Sequence, residues 1–322
     1  MARALKEEYV PPWWIKWRET EPSHRLRGAA SINVPVDIIA VQGLASTYES
    51  TWTKDVGNGQ SVMWLRDLLK TDLPNARIMS FEYDSKWLND PAMISLEDCG
   101  ERLLESVIWD RTHKGSREHR QMCPIMARRP LILIGHSYGG LVIKQALVTA
   151  ATEPTDHPRY DDYQAFITAI SGVMFLGTPH SGSSFASAGI FQANFRSWFG
   201  SATNTEILKP LALDTTMTTL EDLETDFRTV LSEDRLSALI LLYFYETKPL
   251  TVGPFQTKLV VQKESACYGS HKSLQIPLDA NHMEMNKFGS HYESNYQRVI
   301  QELIEMHRTA SNIVNSRWGS MI

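Results

Sequence analysis

The feature that most constrains this chain is the hexapeptide at residues 135–140, GHSYGG, together with what stands on either side of it. Before it runs PLILI (130–134), a short apolar stretch of strand type, and after it LVIKQALV (141–148), apolar at helical spacing. Strand, sharp turn and helix around G-x-S-x-G form the context of a nucleophile elbow. A serine in strained backbone at the tip of a strand needs neighbours without bulk, and Gly135 and Gly139 stand two residues to either side of Ser137. The helix start that follows offers free N–H groups and a positive dipole end to a developing oxyanion.

The rest of the chain reads as strands alternating with helices. Apolar strand candidates lie at 36–41, 76–83, 130–134, 172–176, 239–245 and 258–262, the last of these taken as the final strand. Amphipathic helices are expected at 62–69 and around 96–109, and a long closing helix carries Val299, Ile300, Leu303, Ile304 and Met306. Residues 46–61 read as a polar loop. This alternation predicts an α/β fold, a mostly parallel sheet covered by helices on both faces. Residues 1–34 read as an N-terminal arm and 35–322 as one domain, within the size a single core supports. Residues 181–235 interrupt the alternation with a helical pattern and are expected to form a cap, with Phe191 and Trp198 lining a substrate pocket.

Composition narrows the function classes. A formal charge of −5 without a Lys/Arg run speaks against nucleic-acid binding. Three cysteines, Cys99, Cys123 and Cys267, are too few and odd in number for a disulfide framework, so an intracellular, cytoplasmic setting is expected. No transmembrane span or signal peptide is read. Trp13, Trp14 and Trp17 could touch a membrane interface, although an arm stapled to the domain surface is the favoured reading. Gly57-Asn58-Gly59 lacks the helix start and third glycine of a dinucleotide site, and His282-Met283-Glu284 lacks a second spaced metal ligand. No cofactor and no metal are expected.

A serine hydroxyl needs a base, and the base needs an orienting acid. In the elbow-bearing α/β arrangement the order along the chain is Ser, acid, His. His282, in LDANH (278–282) before the closing helix, is the expected base; His180 is expected to support its loop, and His271 and His291 are weaker candidates. Glu246 follows the strand at 239–245 and is the expected acid, with Asp279 and Glu264 competing. The oxyanion hole is expected at the backbone N–H groups of Leu44 and Tyr138.

These segments together resemble a known family. QGL (42–44) after its strand, WLRDL (64–68), ARIM (76–79), the elbow, FLGTPH (175–180), KESA (263–266) and DANH (279–282) with Lys287-Phe288 recur in order in the serine-active-site-containing, lipase-like α/β-hydrolase family. In fungi that domain often heads proteins continuing into NACHT, ankyrin or TPR modules. The resemblance, over about residues 36–305, implies a carboxylic-ester hydrolase with Ser137 as nucleophile and His282 as base, acting on a small-molecule or lipid ester. Gln42, expected with Phe191 and Trp198 to line the substrate pocket, departs from the family's usual histidine at the first loop, where its amide can still hold the loop by hydrogen bonds. The competing reading is the signalling head of an immune-type receptor in which hydrolysis is secondary or absent.

Overall fold

The computed structural model describes residues 35–44, 46–83, 95–113, 128–180, 220–236, 238–252, 256–259, 261, 263 and 273–319. The expected arm with Trp13, Trp14 and Trp17, the pocket residues Phe191 and Trp198, and Cys123, Cys267, Glu264 and His271 lie outside them.

Six parallel strands form the central sheet: β1 (Asp37–Val41), β4 (Arg77–Phe81), β5 (Leu131–His136), β6 (Ile170–Leu176), β7 (Ile240–Glu246) and β10 (Ser273–Leu278), in the order β10-β7-β6-β5-β1-β4. The strands are apolar almost throughout because both faces are covered. Their side chains divide with a period of two. Ile39, Val41, Leu133, Phe175 and Tyr243 face one cluster with α4 (Leu96–His113), α5 (Tyr138–Thr152) and α7 (Leu220–Leu231). Ile38, Ala40, Ile134, Leu176 and Phe244 face the other, under Trp52, Trp64 and the closing helix α8 (Ser294–Gly319). Helix α6 (Tyr160–Ala169) leads into β6.

Three details differ from the sequence reading. Residues 62–69 are not one helix: Gln60–Met63 is β3, paired antiparallel with β2 (Thr53–Gly57), and only then come the short helices α2 (Trp64–Asp67) and α3 (Leu69–Asp72). Gly57, Asn58 and Gly59, all at positive φ, make the turn of that ribbon, the backbone such hairpins require. A helix not expected from the sequence, α1 (Tyr48–Trp52), precedes the ribbon, capped by Thr47. The final sheet strand is β10 and not 258–262. Lys258 ends β9 (Gln256–Lys258), which pairs antiparallel with β8 (Leu250–Val252) outside the main sheet, and Leu259 is exposed. Helix α7, within the segment expected as a cap, buries Leu223, Phe227 and Val230 against the core.

The amino end of the sheet is sealed by a buried charge cluster. Asp37 opens β1 and is fully buried. It accepts from Arg77, directly across in the register on β4, at 2.9 and 2.8 Å, from Arg111 of α4 at 3.1 Å and from Arg129 before β5 at 3.2 Å. Burial alone would raise its pKa, but the three guanidinium groups outweigh it and hold the carboxyl below its ordinary 3.8. The ionised form therefore adds stability above that value, and the contribution is lost as pH falls through the depressed native pKa. Arg77 keeps a second carboxylate in Asp110 at 2.6 Å, but Asp37→Asn takes the counter-charge from the buried Arg111 and should destabilise the fold by about 3–5 kcal/mol. Urea unfolding at neutral pH measures this, and the variant's acid unfolding profile should lack the wild-type slope below that pH. A loss under about 1 kcal/mol would mean that the cluster contributes no more than a surface pair.

Candidate active site

The chain runs from β1 outward to β4 and then returns to the other side of β1 as β5, so the loops after β1 and β5 diverge at a switch point of the strand order. Crevices of this kind, at the carboxyl ends of parallel strands, are where open α/β sheets place ligands. Ser137 stands there, between the last residue of β5 and the first of α5, with φ 53° and ψ −124°. Such a backbone is strained for a residue with a side chain and persists only where the surroundings over-determine it. They do so here by close approach. A Cβ on Gly139 would lie 2.4 Å from the carbonyl oxygens of both Val41 and Gln42, and one on Gly135 would lie 2.6 Å from the Gly140 Cα. The Ser137 N–H donates to Leu176 O at 2.9 Å, which fixes the turn against β6.

His282 follows β10, and its Nε2 lies 3.0 Å from Ser137 Oγ. Its Nδ1 lies 2.7 Å from Glu246 Oε2. Glu246 is the last residue of β7 and is 2% exposed; its other oxygen accepts from the Val261 N–H at 3.0 Å. With one carboxylate oxygen held by backbone and the other on the imidazole, Nδ1 carries the proton and Nε2 is left as the acceptor facing Ser137. The loops bearing the two groups are stitched together, since Thr247 N donates to Leu278 O and Lys248 N to Ala280 O, both at 3.1 Å. The structure thus brings Ser137, His282 and Glu246 into one hydrogen-bonded line. It directs the Asp279 carboxylate elsewhere, to an exposed pair with Lys248 at 2.9 Å, while the Asp279 N–H donates to Asn295. His291 is also away from the line, 3.4 Å from Asp72.

The loop after β1 lies against the serine: a Cβ on Gly43 would be 3.3 Å from Ser137 Cβ. Leu44 follows, nearly buried, and Tyr138 begins α5. Gln42 is fully buried, and its amide donates to Ser46 O at 2.8 Å and Tyr83 O at 3.1 Å, while the Tyr83 hydroxyl donates back to Gln42 O at 3.1 Å. Its side chain braces the loop from within.

His180 is buried and edge-on to Phe175 and Tyr243, at 4.7 and 4.9 Å between ring centroids; burial and the nearby Lys144 keep it neutral. Lys144 of α5 is itself buried, paired with Glu224 of α7 and set over the rings of Phe175 and Phe227. Desolvation brings its pKa down to about 8. Sequence reasoning missed this pair, because Lys144 lies inside an apolar helical run and Glu224 in an acidic surface-like one. Among the described residues no group of three or more His, Cys, Asp or Glu is placed to hold a metal ion, and no helix is long and apolar enough to cross a membrane. Cys99 is a buried thiol raised to about 12 by desolvation, which makes it inert as a nucleophile.

A parallel sheet wrapped by helices on both faces, with an elbow serine after the central strand, is the α/β-hydrolase fold. The mature lipase BlEst2 of Bacillus licheniformis has a similar structure, with a TM-score of 0.54 and 13% sequence identity, covering 91% of this chain and 98% of that one. In sequence the chain is similar to protein SERAC1 of Mus musculus, 26% identical over 288 residues, and of Homo sapiens, 27% identical over 285 residues. Each of these alignments covers 84% of this chain and 39% of the relative, so the chain spans about two fifths of the length of the curated relatives it matches. No protein-family profile matches the chain.

The close approach at Gly139 makes a direct expectation. Gly139→Ala forces a methyl group into two backbone carbonyls and should destabilise the protein by about 1–3 kcal/mol, the usual range for overpacking. A thermal melt reads this, and a variant that melts within a degree of wild type would show that the elbow can shift away from β1.

Proposed function

We propose that the chain is a serine hydrolase that cleaves a carboxylic ester through an acyl-enzyme intermediate. The observation that carries this reading is the buried line Ser137 Oγ, His282, Glu246, with gaps of 3.0 and 2.7 Å. Ser137 Oγ attacks the ester carbonyl carbon as His282 Nε2 takes the hydroxyl proton. Glu246 stabilises the imidazolium that forms and keeps Nδ1 as the protonated nitrogen. The oxyanion of the tetrahedral intermediate is held by the N–H groups of Tyr138 and Leu44, one at a helix start and one in the loop beside the serine. When the intermediate collapses, the alkoxide leaves with the proton from His282, and the acyl group stays on Ser137. Water then repeats the sequence, losing a proton to His282 and releasing the acid.

The likeness to a lipase fold and to SERAC1 is compatible with this chemistry. The ester class is an acyl compound that reaches a crevice between the β1 and β5 loops. Buried and fully partnered, the acid has no evident purpose in a scaffold that only binds, which favours hydrolysis over a purely signalling domain.

Ser137→Ala should abolish fluorophosphonate labelling and lower ester turnover by roughly 10³-fold or more with the melting temperature preserved. Hydrolysis within tenfold of wild type would refute the assignment.

The acid is tested separately. Glu246→Gln should reduce kcat by about 10²–10⁴-fold with little change in KM. Asp279→Asn, which loosens only an exposed pair, should leave kcat within about threefold. The reverse pattern, measured on one short-chain ester, would transfer the acid role to Asp279.

A further inference from the structure

The residue preceding the nucleophile has no part in the proton relay, yet it reaches the loop that carries the base. His136 ends β5 and is 6% exposed. Its Nε2 lies 3.1 Å from the main-chain carbonyl oxygen of His282. A carbonyl oxygen only accepts, so Nε2 carries the hydrogen and, in the neutral ring, Nδ1 is bare. Nδ1 faces the loop after β1, 3.4 Å from where a Cβ on Gly43 would stand. The ring also packs at 5.1 Å from the imidazole of His282 and edge-on to Trp52 at 6.5 Å.

We propose that His136 is a positioning residue that sets the base against the nucleophile by tying the His282 main chain to the elbow. The inference rests on the hydrolase reading above. Ser137 and His282 are 145 residues apart and ride on separate strands, β5 and the loop after β10. The side-chain contact between them must form and break during each turnover, so it cannot itself fix their separation. The bond from His136 does not change with the chemistry. It starts one residue from Ser137 and ends on the backbone of His282, and so transmits the position of the elbow to the base. The ring suits this task because it stays uncharged. Burial holds its pKa well below 6.5, and a positive charge on His282 lowers it further. The imidazolium formed on His282 during attack thus meets a neutral neighbour.

Two near-isosteric variants separate positioning from bulk. A glutamine at this place puts its amide nitrogen close to the position of Nε2, whereas an asparagine stops short of it, near Nδ1. His136→Asn should lower kcat and the rate of fluorophosphonate labelling by roughly 10- to 100-fold, the penalty of a small misplacement, with KM within about threefold. His136→Gln should recover most of that loss. The second readout is the low-field proton resonance of His282 Nδ1–H, which reports the ring's seating on Glu246 whether or not an ester is turned over. It should shift or broaden in the asparagine variant and stay in place in the glutamine one. Equal losses in both variants, or none in either, would overturn the proposal. A wild-type protein that neither labels nor hydrolyses would instead sink the hydrolase reading, and the resonance would still decide whether His136 positions His282.

Discussion

Everything at the carboxyl edge of this sheet depends on holding Ser137 at φ 53° and ψ −124°. The backbone resists that conformation, and no side chain of Ser137 itself compensates it, since the residue makes no cap bond to the helix it begins. Compactness around it does. Gly135 lets the chain fold back on Gly140, Gly140 admits Thr178, and Gly139 lets α5 start against the carbonyls of Val41 and Gln42. Three strands, β1, β5 and β6, are thereby locked to one turn. The strain is stored where over-packing leaves the turn no other arrangement.

The remaining parts of the site are matched to that turn by main-chain bonds more than by side-chain contacts. Gly177 N donates to Phe244 O at 2.9 Å, joining the ends of β6 and β7 just where Glu246 leaves the sheet. Gly177 also sits at positive φ, with His282 and Met285 so close that a Cβ there would touch both. Burial holds two imidazoles neutral, His136 beside His282 and His180 beside Lys144, while the buried Glu246 carboxylate lies on His282.

Much of this was legible in the sequence. The elbow announces itself by glycine spacing between a strand and a helix, and chain order is enough to bring Ser137, Glu246 and His282 to one edge. What was not legible has physical causes. β10 reads SLQIPL, with a proline and only Leu278 buried, because it is an edge strand of the described sheet, and apolar runs mark only strands buried on both faces. The ribbon of β2 and β3 escaped because Val62, Trp64, Leu65, Leu68 and Leu69 fall at helical spacing across a strand-to-helix junction. His136 and Lys144 were hidden by their company. A histidine inside a motif and a lysine inside an apolar helix carry no signal until the partner, His282 O or Glu224, comes from a distant part of the chain.

β1 has a different kind of chemistry at each end. It opens on Asp37, among three guanidinium groups, and closes on Val41, whose carbonyl abuts Gly139. Four strand steps, about 13 Å, separate them, a distance at which free-energy effects of substitutions add without coupling. The strand therefore keeps the charge cluster and the elbow energetically apart. Substitutions among the arginines should shift the unfolding threshold by amounts that simply add to those of substitutions around Ser137.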